Sequence, residues 1–270
     1  MPSHPVGLRG LLLLPLVALV LIAGCQSKGQ QARLARLSPE GLYERGHKSL
    51  VSSDYGDAIR VYEALNARYP FTPQARQGRL DIIYAYYKSG EKESAKDACD
   101  TFIRENPTHP RIDYAWYLKG LIDFERTENV FERWLRVDLS QRPPVSARDS
   151  FQSFRAVVER FPKSAYAHDA QRRMIYLRNR LADYEIQIAH YYVERGAWVA
   201  AAQRARLLVE QYDGAPAVKD ALRVMIRCYN ELDYAELAAN IEKVFRENYP
   251  EDSLDHTQKS KHWWKFWGNG

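Results

Sequence analysis

Cysteine is scarce in this chain, which has three cysteines among 270 residues. So few thiols exclude a disulfide-stapled scaffold, and no two of them have the CxxC spacing of a zinc or redox site. Cys99 and Cys228 stand 129 residues apart in segments with helical patterning. We expect both to be buried thiols, and a disulfide between them is the alternative that an oxidising compartment would allow.

Long apolar runs are missing as well. The uncharged stretch Leu11–Ala23 covers 13 residues and contains Pro15, whereas a membrane-spanning helix needs about 20 apolar residues. Because this stretch follows Arg9 and precedes small residues, it is typical of a signal peptide that is removed on export.

The sequence Ile22-Ala23-Gly24-Cys25 follows that stretch and resembles the lipobox, which lipoprotein signal peptidase cleaves before its cysteine. The resemblance implies that Cys25 carries a diacylglycerol and an amide-linked acyl chain. Stable anchoring needs more than one chain, since each buried methylene contributes only about 0.8 kcal/mol. Gln26 stands where inner-membrane lipoproteins usually have Asp, which favours the periplasmic face of the outer membrane. An unmodified cysteine after an ordinary secretory signal is the alternative.

Catalytic motifs are also absent from the sequence. It contains no Gly-rich phosphate loop, no HExxH, no paired CxxC and no Gly-x-Ser-x-Gly elbow. His190 and Glu194 stand four residues apart on a predicted helix. An ordinary surface pair explains this spacing more simply than an oriented catalytic pair does. We therefore expect no catalytic residue, no metal site and no cofactor apart from the covalent lipid.

The charge balance is basic, with a formal net charge of +5 and a pI near 9.0. Such a balance is ordinarily typical of proteins that bind nucleic acid. The predicted export argues against that partner, because it separates the chain from nucleic acid. The remaining interpretation is affinity for acidic protein surfaces or for anionic lipid headgroups.

A repeated pattern runs through the mature chain. Five segments end in an aromatic or asparagine that is usually followed by proline, and a small residue stands twelve positions before each proline or its equivalent: Ala58, Ala95, Ser150, Ala201 and Ala238. In the first segment Gly46, Ala58, Tyr62 and Pro70 resemble the consensus of the tetratricopeptide repeat. The small residue lets two antiparallel helices cross closely, and proline ends the second helix.

The pattern predicts an all-α fold, a tetratricopeptide-repeat superhelix of five helical hairpins with an insert in the third repeat. That repeat has its helices at Ile112–Glu125 and Arg148–Phe161, and one or two long helices are predicted over 165–194. Met174, Ile175, Leu177, Leu181, Ile186 and Ala189 form the core stripe of this last segment. The predicted organisation is a signal peptide (1–24), a lipidated linker (25–37), repeats one and two (38–110), repeats three to five with the insert 126–144 (111–250) and a tail (251–270).

Several longer runs are more specific than the generic repeat. They include Arg68-Tyr69-Pro70-Phe71-Thr72-Pro73, Asn106-Pro107-Thr108-His109-Pro110 and the stretch from Ala189 to Ala200. These runs resemble the BamD family, also called ComL, of outer membrane protein assembly lipoproteins, and the resemblance covers the mature chain to about residue 250. It implies a non-catalytic scaffold that recognises unfolded β-barrel proteins and docks on the barrel-forming subunit BamA, beside the other Bam lipoproteins.

The resemblance also implies where the two kinds of partner bind. The amino-terminal repeats would meet the carboxy-terminal signal of unfolded barrel proteins, and the candidate residues are Arg68, Tyr69, Phe71, Tyr43, His47, Tyr84, Tyr87 and Lys88. Each of these tyrosines is as readily explained by packing between helices. The carboxy-terminal repeats would dock on BamA, with Arg195, Arg204, Arg223 and Arg227 as candidates because arginine binds carboxylates in a bidentate manner.

The tail is a further candidate site. Trp263, Trp264 and Trp267 are three of the six tryptophans and alternate with basic residues. Such mixtures prefer a membrane interface or the groove of a partner. A tail without function is the alternative.

Two other functions fit the sequence. One is a periplasmic tetratricopeptide-repeat adaptor lipoprotein that coordinates peptidoglycan-associated proteins. The other is a lipoprotein that binds or cleaves the cell wall, and the missing catalytic motifs argue against cleavage.

Overall fold

The computed structural model describes residues 33–127 and 145–252, and it contains ten long α-helices and no strand within those ranges. The helices are α1 (Pro39–Val51), α2 (Tyr55–Arg68), α3 (Pro73–Ser89), α4 (Lys92–Glu105), α5 (Ile112–Thr127), α6 (Val145–Arg160), α7 (Ala167–Glu194), α8 (Trp198–Gln211), α9 (Val218–Glu231) and α10 (Ala235–Asn248). The all-helical prediction is confirmed. The predicted signal peptide and Cys25, residues 128–144 of the predicted insert, and the tail from residue 253 lie outside the described residues.

Short polar side chains define where several helices begin. Ser38 precedes α1 and accepts a hydrogen bond from the backbone N–H of Gly41, and Thr72 precedes α3 and accepts one from Ala75, both at 3.2 Å. In both helices the next residue is proline, which has no N–H to leave unsatisfied in the first turn. A capping side chain followed by proline thus marks the first residue of both α1 and α3.

The second helix of each predicted hairpin ends in the same way. The residue after the helix donates its backbone N–H to the carbonyl oxygen four residues earlier, in the pairs Tyr69 to Leu65, Asn106 to Phe102, Phe161 to Val157, Tyr212 to Leu208 and Tyr249 to Phe245. Every accepting residue in these pairs is buried. The five predicted small residues are buried as well: Ala58, Ala95, Ser150, Ala201 and Ala238. The register found in the sequence is thus the register of the packed helices.

The chain divides into two compact units between Leu118 and Lys119, within α5. In unit 1 α1 packs against α2, α2 against α3 and α3 against α4, and α1 also contacts α3. Its core surrounds the fully buried ring of Tyr62, with Leu42, Val61 and Leu65. A Cβ placed on Gly46 would lie 2.7 Å from the Tyr62 ring, so glycine is what allows α1 to approach α2.

Unit 2 repeats this arrangement. Consecutive helices from α6 to α10 pack against one another, and α7 also contacts α9. Here Gly120 takes the role of Gly46, because a Cβ on it would lie 2.6 Å from the ring of Phe154. The hydroxyl of Ser150 donates to the carbonyl oxygen of Gly120 at 2.8 Å, which explains why serine replaces alanine in this repeat.

The long segment before the fourth predicted hairpin is one continuous helix, α7, of 28 residues. Leu177, Leu181, Ile186 and Ala189 are buried as predicted, but Ile175 is exposed. The reason is helical geometry, since two residues at 100° each place Ile175 on the far side of α7 from Leu177. The prediction that Ile175 belongs to the core is therefore wrong.

Both remaining cysteines are buried thiols, Cys99 in α4 and Cys228 in α9, as predicted. Burial raises the pKa of the Cys228 thiol to about 11. This thiol therefore stays protonated at neutral pH and behaves as a small apolar side chain.

Candidate binding surfaces

A hydrogen-bonded cluster of tyrosines surrounds one carboxylate in unit 1. The Tyr43 hydroxyl donates to Oδ2 of Asp81 at 3.0 Å, and the Tyr62 hydroxyl donates to the same oxygen at 3.3 Å. Gln77 donates to Oδ1 of Asp81 at 2.8 Å. Burial and then the Asp81 charge raise the pKa of Tyr43 to about 12, so its hydroxyl remains a donor at neutral pH. Sequence reasoning identified Tyr43 but missed Asp81, which lies 38 residues further along the chain.

The other residues predicted to bind unfolded barrel proteins in this unit differ in their exposure. The ring of His47 stacks on Tyr43 with centroids 6.0 Å apart, and Tyr84 meets Tyr55 edge-on at 6.5 Å. Tyr84 and Tyr87 are half-buried, whereas His47 and Lys88 are exposed. Tyr84 thus packs with part of its ring and exposes the rest, and binding by these tyrosines stays a prediction.

The turn between α2 and α3 presents Phe71 to solvent with 92% of its surface exposed. The turn is braced on both sides of this ring. Arg79 donates to the carbonyl oxygen of Pro70 at 2.7 Å, and the Thr72 hydroxyl donates to that of Tyr69 at 2.9 Å. An apolar ring held open by a rigid turn is suited to contact with another apolar chain.

The neighbours of Phe71 on the amino-terminal side have internal contacts. Tyr69 is half-buried, and its hydroxyl donates to the carbonyl oxygen of Leu37 at 3.3 Å. The guanidinium of Arg68 lies 5.5 Å from the centre of the Tyr69 ring. Of the three residues predicted in this turn, Phe71 is therefore the one most available to a ligand.

A small polar pocket of about 320 Å³ lies at the end of α4 in unit 1. Arg76 and His109 line it, together with Glu105, which is paired with Arg79 at 3.2 Å. Burial, followed by the charges of Arg76 and Arg111, lowers the pKa of His109. The pocket is therefore lined by a neutral imidazole beside an arginine at neutral pH.

Unit 2 contains a larger cavity of about 610 Å³ between α6, α7 and α8. Its lining combines apolar side chains with three arginines and one glutamate: Phe151, Leu181, Leu207, Tyr212, Gln152, Gln211, Arg148, Arg155, Arg204 and Glu185. Glu185 is only 1% exposed, and it bonds Arg148 at 3.1 Å and Arg204 at 3.0 Å. The lining thus has an excess of positive charge on partly apolar walls.

The four arginines predicted to dock on a partner do not form one cluster. Arg204 lines the cavity, whereas each of the other three lies against an aromatic ring of unit 2. The guanidinium-to-ring-centre distances are 4.4 Å for Arg195 on Tyr191, 5.0 Å for Arg223 on Phe245 and 5.5 Å for Arg227 on Trp198. Sequence reasoning missed Arg148 and Glu185, because the three partners of this ion cluster are 19 and 37 residues apart.

His190 has a partner that its own helix did not suggest. Its Nε2 lies 2.7 Å from Oδ2 of Asp220 on α9, 30 residues away. This hydrogen bond raises the pKa of His190, and the charges of Asp220 and Glu194 act in the same direction. The pair joins α7 to α9, which is a structural role.

The described residues contain no group of His, Cys, Asp and Glu side chains that could hold a metal ion. Within the same ranges, no helix has both the length and the apolarity needed to cross a membrane. The predicted tail residues Trp263, Trp264 and Trp267 and the predicted lipid site Cys25 lie outside these ranges, so they stay predictions.

Helical hairpins, with an exposed aromatic turn in unit 1 and an arginine-lined cavity in unit 2, define the class as an all-helical repeat scaffold. A protein-family model described as "Outer membrane lipoprotein" matches residues 36–244. The outer membrane protein assembly factor BamD of Neisseria gonorrhoeae is 37% identical over 253 residues, which cover 91% of this chain and 95% of that protein. BamD of Vibrio cholerae is 34% identical, covering 86% of this chain and 96% of that one. The chain belongs to the BamD family.

The relatives are named as assembly factors, which is a non-catalytic role and agrees with the expectation that the chain is not an enzyme. Among solved structures, that of the MamA protein matches with a TM-score of 0.30 and 18% identity over 80% of this chain and 97% of that one. So low a TM-score says nothing about the fold.

Proposed function

We propose that this chain is a lipid-anchored assembly factor at the periplasmic face of the outer membrane, where it helps to insert β-barrel proteins. The observation that carries the proposal is the identity of 37% to a BamD protein across 91% of the chain. A similarity of that extent covers both units and supports a shared scaffold. The anchor is the lipidated Cys25, and the other Bam lipoproteins are neighbouring partners.

Unit 1 is proposed to receive unfolded outer membrane proteins. Their barrel strands alternate apolar and polar residues, and unit 1 offers matching chemistry. Phe71 supplies an exposed apolar ring, and the Tyr43–Asp81 cluster supplies polar groups for an extended backbone. Arg68, Tyr69, His47, Tyr84, Tyr87 and Lys88 are the remaining proposed contacts.

Unit 2 is proposed to dock on the periplasmic part of BamA. Arg204 is half-exposed on a cavity with an excess of arginine, a combination that suits an acidic side chain of a partner. Arg195, Arg223 and Arg227 are proposed to extend the contact, although each also lies on an aromatic ring.

Site-specific photocrosslinking in living cells tests both assignments. A photoreactive residue at position 71 should capture unfolded barrel proteins, and one at position 204 should capture BamA. Position 51, whose native valine is 72% exposed in the same unit as Phe71, is the matched control and should capture neither. Capture of cell-wall proteins alone from positions 71 and 204 would instead favour the peptidoglycan adaptor.

A further inference from the structure

The carboxylate of Glu185 lies beneath two arginines in unit 2. It is on α7 and is 1% exposed, while Arg148 on α6 and Arg204 on α8 are 53% and 41% exposed. Each carboxylate oxygen serves a different guanidinium, since Oε1 accepts from Arg148 and Oε2 accepts from Arg204. One buried acid therefore fixes two arginines that come from different helices.

Burial of a charged carboxylate at position 185 is energetically unfavourable. Removal of a charge from water is unfavourable, and replacement of a buried ion cluster by apolar side chains often leaves stability unchanged or increases it. The neighbouring core positions of α7, Leu181 and Ile186, are apolar. Stability of the fold is therefore a poor explanation for an acid at position 185.

The two arginines retain donors for another acceptor. A guanidinium has five N–H groups, and the contacts to Glu185 use one nitrogen of each residue, Nη2 of Arg148 and Nη1 of Arg204. Because Glu185 is buried and the arginines are half-exposed, an anion arriving from solvent meets the guanidiniums first and does not need to displace Glu185.

The surrounding cavity suits such an anion. Phe151, Leu181 and Leu207 give it apolar walls, which strengthen a charge pair by excluding water. Its volume of about 610 Å³ holds a few side chains rather than a folded domain. The side chain of Tyr212 lines the same cavity.

We infer that Glu185 is a positioning residue that holds Arg148 and Arg204 as a paired receptor for an aspartate or glutamate side chain of the docked partner. Arg148 is then a second binding residue beside Arg204. Pre-set arginines bind more tightly because less side-chain freedom is lost on association. This inference rests on the proposed docking of unit 2.

The test measures the Kd of the full lipidated chain for purified BamA, both in detergent. R204Q and R148Q should each weaken binding by about tenfold, the usual range for loss of a charge-assisted contact. E185Q should weaken it at least about threefold through lost pre-organisation. Two controls lie on α8: R206Q and E210Q remove an exposed pair that does not line the cavity, and both should leave the Kd unchanged.

A triple variant separates positioning from a general loss of stability. When Arg148 and Arg204 are already glutamine, E185Q should weaken binding no further, because Glu185 acts only through those arginines. If E185Q proves too unstable to purify, R148Q carries the test, since Arg204 still pairs with the buried Glu185 in that variant.

The outcomes distinguish this inference from the proposed function. Unchanged or tighter binding by E185Q would overturn the positioning role, and tighter binding would mean that Glu185 competes with the partner. Full affinity of R148Q would overturn the paired receptor. If R204Q alone weakens binding, the docking proposal stands while this inference falls; if the wild-type chain does not bind BamA, both fall.

Discussion

At the scale of single residues, the fold depends on a few places where a helix backbone touches an aromatic ring. Gly46 faces Tyr62 in unit 1, and Gly120 faces Phe154 in unit 2. The rings are fully buried, so they have no room to retreat. Glycine at these positions is required by packing and not by backbone conformation, because both positions lie inside helices.

We expect G46A to lower the melting temperature. Its new Cβ would stand 2.7 Å from the Tyr62 ring, and overpacking of this kind costs about 1–3 kcal/mol. The matched control is G56A in the adjacent helix, where no atom lies within 4 Å of the new Cβ. G56A should stabilise the chain by about 0.5–1 kcal/mol, since alanine favours a helix over glycine. Equal melting temperatures for the two variants would contradict the packing account.

Phe71 gives the second prediction at this scale. Because it is 92% exposed, F71S should change the free energy of unfolding by no more than about 0.5 kcal/mol. It should nevertheless weaken the binding of a synthetic barrel-strand peptide to the full chain, measured by fluorescence anisotropy, by about fivefold or more, as expected for a lost aromatic anchor. V51S removes another exposed apolar side chain of unit 1 and should not affect binding. Equal losses in the two variants would point to non-specific apolar contact.

At the scale of residues, the sequence pointed to some of the side chains described above and missed others. It identified the buried small residues and Phe71, because both follow from spacing and from flanking prolines. It missed Asp81, Glu185 and Asp220, whose partners lie on other helices. A single sequence records helical periodicity within an element but not which polar residues of different elements meet.

At the scale of elements, helix ends and helix pairs carry the specific polar contacts. Arg178 on α7 donates to the carbonyl oxygens of Asp213 and Gly214, both at 2.9 Å. These oxygens belong to the loop between α8 and α9, where Gly214 has a positive φ of 71°. One side chain of the long helix thus fixes the turn of the neighbouring pair.

We expect R178Q to loosen that loop. Loss of two hydrogen bonds from a charged donor should lower the free energy of unfolding by about 1–2 kcal/mol after allowance for solvent. Amide hydrogen exchange should become faster at residues 213–217. R172Q is the control on the same helix, since Arg172 is exposed and pairs with Asp169 one turn away on that helix. Unchanged exchange in R178Q would mean that the loop is held by its backbone alone.

The His190–Asp220 pair predicts a pH dependence. Its hydrogen bond raises the pKa of His190 above the unfolded value of about 6.5. The stabilising contribution is therefore complete below that unfolded pKa and is lost as the pH rises through the higher folded pKa. Asp220 and Glu194 favour the charged imidazole, and Arg227 opposes it.

The measurement is the urea midpoint as a function of pH. H190Q should be less stable than the wild type near about pH 6, and the difference should shrink as the pH rises through the folded pKa of His190. H168Q changes an exposed histidine of the same helix and should reproduce the wild-type profile. A constant difference between H190Q and wild type at all pH values would show that the charge of His190 contributes nothing.

At the scale of the whole molecule, the sequence predicted the all-helical fold, the register of the second helices and the family. The fold and the register were predictable because the same weak pattern recurs in five segments. The family was predictable because long runs such as Arg68–Pro73 are more specific than the repeat. It did not predict that the compact units would divide within α5. That division depends on which helices pack together, and spacing along one chain does not record it.

The lipid anchor gives the prediction that concerns the entire chain. C25A should lack the acyl groups and move from the membrane fraction to the soluble periplasmic fraction, because loss of the chains removes most of the membrane affinity. Intact-mass spectrometry checks the modification, and cell fractionation checks the location. C228A changes a buried thiol and should keep both the lipid and the membrane association. Membrane retention of C25A would show that another segment or partner anchors the chain.

The single continuous α7 restricts how this scaffold can change in length. It packs against α6, α8 and α9 along a rod of 28 residues. One residue inserted in the middle would rotate one half by 100° against the other. Glu185 would then be turned away from Arg148 on α6. Insertions and deletions should therefore accumulate in the loops and be excluded from α7, where the helical phase couples successive hairpins.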